Sequence, residues 1–153
     1  MEKFSRSYTI YFKFGRYTNG KVIPLKQELT VSYPLTVEMS ISRSISTFSN
    51  KAILTIFGLD ENKRCLLAKD RYDKEKYISM DIKAGYQGNE WLIYRGAIQE
   101  CYSVRNGGET EYKTVIESAD ATMDLWLGAT SKSYKEGTDA ITIVNNISSQ
   151  LID

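Results

Sequence analysis

The 153-residue sequence contains no histidine. That removes the commonest general base and metal ligand, and with it every Ser-His-Asp or Cys-His catalytic scheme. Cysteine occurs twice, at Cys65 and Cys101, which is too few for a disulfide framework and not at the spacing of a metal motif. Both read as reduced, partly buried thiols. Proline also occurs twice. No apolar run approaches the ~20 residues that span a bilayer, and "MEKFSRSYTI" lacks the apolar stretch of a signal peptide. Neither charge sign dominates, since 20 Lys and Arg face 19 Asp and Glu. The balance offers no electrostatic case for nucleic acid or an anionic membrane. GxxxxGK[ST] and GxGxxG are missing, so no phosphate-cradling loop is signalled. The Gly107–Gly108 pair lies between two predicted strands and reads as a hairpin turn. No cofactor and no metal are expected.

What is present points to β-structure. The 42% apolar fraction is enough for a core, and the length suits one domain over 1–153. The eleven tyrosines favour strands and half-buried surfaces, where the ring packs and the hydroxyl stays wet. "SRSYTIYFKFGRY" alternates with period two and places Tyr8, Ile10, Phe12 and Phe14 on one face. Asn19-Gly20 marks a turn. Pro24 assigns the following run to a strand start or an edge. "PLTVEMSISRSISTF" and "SNKAILTIFGL" give two further strands, the first with one solvated face. Asp60 is the expected N-cap of a short helix, "ENKRCLLAKDRY".

"KYISMDIKAGY", "EWLIYRGAIQECYSVR" and "TEYKTVIESAD" form an antiparallel meander joined by the turns "QGNE" and "NGGE". Gly85 is expected to relieve backbone strain before the turn, and Gly96 to mark a bulge or a close barrel bend. "ATMDLWLGATSKSY" reads as irregular or as a short extra strand. Near the C-terminus the period changes. Ile141, Val144, Ile147 or Ser148, and Leu151 recur at helical spacing, which predicts an amphipathic helix over about 138–152 capped by Thr138. The sum is about seven strands and two helices: mainly β, in a barrel or compact sandwich with the helices as lids.

Chemistry is thinly signalled. Asp81, Glu90 and Glu100 carry no acid–base motif, and no enzymatic activity is expected. Tyr94, Tyr102 and Tyr112 are the candidates for base stacking on an exposed sheet. Cross-strand aromatic packing explains them equally well. An assembly role is a third class, because unpaired strand edges are managed by adding a neighbour's strand or closing a ring.

The order of elements resembles that of phage tail and baseplate central hub proteins, whose β-barrels are related to those of tail tubes. The carriers are "NKAILTIFGL" (Asn50–Leu59), the basic helix "NKRCLLAKD", "IKAGY" (Ile82–Tyr86), "LIYRGAI" (Leu92–Ile98), "KTVIESAD" and the helix start Gly137-Thr138-Asp139. The resemblance runs from about Ser32 to Leu151. It implies a non-enzymatic virion protein assembled in the host cytoplasm. Its partners would be further copies in a homo-oligomeric ring, trimer or hexamer, with tail tube, spike and other baseplate proteins. No membrane partner is implied. Family hubs of contractile tails usually hold two such barrels, whereas this sequence has room for one. The residues expected to pack the barrel or a subunit face are Gly85, Tyr86, Trp91, Tyr94, Gly96, Ile141, Val144 and Leu151. The runner-up is a stand-alone β-barrel binding module for single-stranded nucleic acid or a glycan.

Overall fold

The computed structural model describes residues 6–44, 49–86, 88–105, 107–108, 110–120 and 131–149. Seven strands form one antiparallel sheet: β1 (Arg6–Thr18), β2 (Lys21–Ser32), β3 (Val37–Ser42), β4 (Lys51–Phe57), β5 (Lys76–Tyr86), β6 (Asn89–Val104) and β7 (Lys113–Ala119). Their spatial order is β2-β1-β5-β6-β7-β4-β3. The described residues also include two helices, α1 (Glu61–Leu67) and α2 (Ala140–Ser148).

The strands form where period-two alternation gives each a buried face. On β1, Ile10, Phe12 and Phe14 are buried while Tyr11 and Lys13 face outward. The same alternation puts Leu54 and Ile56 of β4, Ile78, Met80 and Ile82 of β5, and Ile116 of β7 into one continuous core. Asn19 and Gly20, at φ 51° and 76°, make the tight turn between β1 and β2, the left-handed pair a two-residue hairpin requires. Pro24 sits on β2, an edge strand, where a missing amide costs no ladder bond.

The chain is mainly β, as its alternation predicts, but among the described residues the sheet is not closed into a barrel by strand pairing. β2 and β3 are the two edges, and no ladder joins them. They are nevertheless neighbours, because only residues 33–36 link Ser32 to Val37. A segment that short spans at most roughly 18 Å, so the sheet rolls up until its edges approach. Across the seam the Tyr8 hydroxyl donates to the Leu35 carbonyl. Val37, Met39 and Ile41 of β3 pack on the same core as Ile10 and Val31.

α1 plugs the roll. Asp60 is its N-cap, and the carboxylate accepts from the Lys63 amide at 3.0 Å. The helix stops at Leu67, short of the predicted end, because Lys69 exchanges two backbone hydrogen bonds with Cys101 of β6, at 3.0 and 2.9 Å. Pairing with the sheet there outcompetes another helical turn. Lys76 Nζ then donates to the Leu66 and Ala68 carbonyls, at 2.8 and 2.6 Å, a cation placed where the helix dipole is negative.

Candidate functional site

Among the described residues no group of three or more Cys, Asp or Glu side chains is placed to hold a metal ion. The outer face of the sheet carries two ion-paired clusters. Arg95 of β6 grips Asp81 of β5 with two bonds of 2.7 Å. The Arg95 bond holds the Asp81 carboxyl below its ordinary value. Glu100 and Glu117 stand opposite each other on β6 and β7, an unfavourable like-charge pair. Arg71, from the α1–β5 connection, bridges both at 2.9 and 2.6 Å. No sequence signal marked Arg71, since the three partners are far apart in the chain. Two of the three carboxylates weighed as acid–base candidates, Asp81 and Glu100, are thus engaged by arginines.

The predicted site residues separate into the buried Tyr94 with half-buried Gly85 and Gly96, and exposed surfaces. Tyr94 is 2% exposed. Its ring runs along its own strand over Gly96, and its hydroxyl reaches Ser118 Oγ at 3.0 Å. Ser118 donates to the Ala97 carbonyl at 2.9 Å, so the tyrosine must be the donor to Ser118. Burial pushes the Tyr94 phenol up to about 12. The bulge, one of the two expectations for Gly96, is not found there. The register shifts along β6 fall at Ile93, opposite Ile82/Lys83 of β5, and at Gln99, between Ile98 and Glu100, not at Gly96. The glycine instead leaves room for the Tyr94 hydroxyl, which a Cβ would overlap, and for the Ala119 carbonyl, 2.8 Å from that Cβ position. Gly85 likewise admits a close approach of the Asn89 backbone across the hairpin, a steric need rather than relief of strain.

Trp91 is the opposite case from Tyr94. It lies opposite Ala84 on the core-facing side of the hairpin, yet is 63% exposed. The β5–β6 hairpin projects past the end of the core, so Trp91 does not pack the roll. Tyr86 is exposed beside it. At this end the uncovered core face becomes an apolar groove of about 460 Å³, lined by Arg6, Ser7, Tyr8, Val37, Met39, Ala84, Gly85 and Tyr86. The Ser7 hydroxyl, on the opposite face of β1 from Tyr8, is buried without a hydrogen-bond partner among the described residues.

α2 forms as the helical spacing predicts, and its apolar stripe faces solvent: Ile141 and Val144 are 68% and 62% exposed. Its N-cap is Asp139, not Thr138. Thr138 turns back to donate to the Lys135 carbonyl at 2.6 Å. Leu151 and most of "ATMDLWLGATSKSY" lie outside the described residues.

The stacking platform of the runner-up is largely taken up. Tyr94 is in the core, and one face of Tyr112 carries the Arg64 guanidinium, 3.7 Å from the ring centroid. Tyr102 remains exposed.

The two cysteines differ in the same way. Cys65 on α1 is exposed, and Cys101 is buried with its thiol pushed up to about 12 by desolvation. A thiol reagent at neutral pH is therefore expected to modify one thiol per folded chain quickly. The second should react only on unfolding, because the thiolate is the reactive form. Two fast equivalents from the native protein would contradict the burial of Cys101.

No protein-family model and no curated protein matches the chain. Its sheet does have counterparts among solved structures. A half-lidded structure of the Francisella PdpA–VgrG complex matches with a TM-score of 0.50 at 13% identity, over 92% of this chain and 22% of that one. A lidded structure of the same complex matches with a TM-score of 0.49 at 11% identity, over 95% and 20%. This chain thus spans about a fifth of the length of the chains it matches. At this identity the likeness is one of fold.

Proposed function

We propose that this chain is a non-enzymatic structural subunit of a phage tail baseplate, of hub type, forming a homo-oligomeric ring between the tail tube and the central spike. The observation that carries the reading is the recurrence of its fold as about a fifth of a chain in the PdpA–VgrG complex. There the fold is one module of a chain belonging to a multiprotein assembly. The sequence order supports the same reading, because "NKAILTIFGL", "NKRCLLAKD", "IKAGY", "LIYRGAI", "KTVIESAD" and Gly137-Thr138-Asp139 fall on β4, α1, β5, β6, β7 and the start of α2. So do the two sheet edges without partners among the described strands, which suit a subunit that meets neighbours on both sides.

Co-expression with the tail-tube and spike proteins of the same virion tests this. The expected product is a trimeric or hexameric ring that co-purifies with both. A chain that stays monomeric and binds neither overturns the proposal. Salt-sensitive binding to single-stranded oligonucleotides would instead favour the binding module, because phosphate contacts release counterions.

A further inference from the structure

We propose that α2 of one copy docks in the apolar groove of the next, as a head-to-tail interface that builds the ring from identical contacts. The inference deepens the hub reading and rests on its self-association, but not on any tail partner.

Two uncovered apolar surfaces sit on the same chain. The first is the groove at the seam, where Tyr8, Val37, Met39, Ala84 and Tyr86 continue the core face into solvent. Its volume of about 460 Å³ lies within the roughly 300–1,000 Å³ of clefts that enclose a bound group. The second is the stripe Ile141, Val144 and Ile147 on α2, all exposed. The stripe extends about 9 Å along the helix axis. α2 has nine residues, and helices under ~12 residues are marginal in water unless an apolar face is packed. The helix therefore needs a cover, and none of the described residues supplies one.

Polarity agrees as well. "AITIVNNIS" contains no charged residue, so burying it strands no charge in an apolar site. Thr142, Asn145 and Ser148 add only neutral polar side chains beside the stripe. At the helix start, the Asp139 carboxylate makes no capping bond, and Arg6 stands exposed at the mouth of the groove. An anion at one end of the helix thus matches a cation at one end of the groove. Because helix and groove are different surfaces, the contact is heterologous, and repeating it yields a ring when the rotation closes. It is a helix-in-groove mode of recognition.

The test is sedimentation of the full chain across a concentration series, with Val144→Glu on the helix and Tyr86→Glu in the groove. Both positions are exposed, and glutamate favours a helix more than valine does, so both variants are expected to fold. The unmodified chain should associate reversibly, and each variant alone should associate at least tenfold more weakly. Mixed in equal amounts, the two variants should form a dimer and nothing larger. Only one intact helix and one intact groove remain to meet, and the dimer carries a spoiled helix at one end and a spoiled groove at the other. An unmodified chain that stays monomeric at every concentration overturns the second copy as occupant and indicates that α2 folds back on its own groove or meets another partner. A chain that associates but ignores both substitutions overturns this interface and leaves the ring reading standing.

Discussion

Replacing Gly96 with alanine is expected to destabilise the fold by about 3 kcal/mol, the upper part of the range for forcing an extra methyl into a packed site. For a chain of this length the melting temperature should fall by roughly 6–12 °C. The added Cβ would overlap the Tyr94 hydroxyl and press on the Ala119 carbonyl, and the carbonyl is held by the ladder to β6. The tyrosine is the softer of the two neighbours. Tyr94→Phe removes its hydroxyl for about 1 kcal/mol, the worth of one hydrogen bond, while Ser118 keeps its bond to the Ala97 carbonyl. The double variant Tyr94→Phe/Gly96→Ala should therefore be more stable than the sum of the single losses by roughly 1 kcal/mol. Thermal melts of the four proteins measure this directly. Strict additivity would mean that the tyrosine hydroxyl does not occupy the space above the glycine.

Raising the pH through the window from about 9 to about 12 is expected to remove several kcal/mol of stability, on the order of 1.4 kcal/mol per pH unit for each proton involved. Two buried groups set the window. The Cys101 thiol moves from 9.0 to about 12 and the Tyr94 phenol from 10.0 to about 12, both through desolvation of the charged form. In the folded chain they keep protons that the unfolded chain gives up, so their contribution is whole below about pH 9 and vanishes as pH climbs to about 12. Lys69 opposes them. Burial lowers its value, so the unfolded chain binds more protons and stability rises with pH up to the ordinary value of 10.5. Urea unfolding at a series of alkaline pH values gives the net slope. Cys101→Ala and Tyr94→Phe should each take about one proton out of it. A slope that Cys101→Ala leaves unchanged would show that the thiol is already solvated.

Much of this was readable from the chain. Strand alternation is local and repeated, so Ile10, Phe12 and Phe14 could be assigned to the core without knowledge of their partners. Asn19-Gly20 and the Asp60 cap are equally local, because a φ preference and a side-chain bond to a nearby amide act over a few residues. What the sequence did not disclose is non-local. Closure of the barrel depends on whether β2 and β3 meet, and no pattern within either strand records that. Trp91 sits on the correct face of its hairpin, but exposure is decided by how far the hairpin outruns the core. Gly96 was legible as special, but not as the glycine that leaves space for the hydroxyl of Tyr94. The Arg71 bridge between Glu100 and Glu117 had no signature, since it exists only after β6 and β7 have paired. Sequence pattern did isolate the stripe on α2, and the structure adds that none of the described residues covers it.

The absent ladder between β2 and β3 also has a mechanical meaning. A barrel closed all round by hydrogen bonds has a circumference fixed by its strand number and stagger. This sheet is split between β2 and β3, and among the described residues the Tyr8–Leu35 bond and side-chain packing hold the two sides together. The split can widen or tighten while every rung between adjacent strands survives. Its radius is therefore expected to be a compliant dimension, set by the side chains along the cut and by whatever is pressed against them, so a chain folded this way can follow the curvature of a surface it meets.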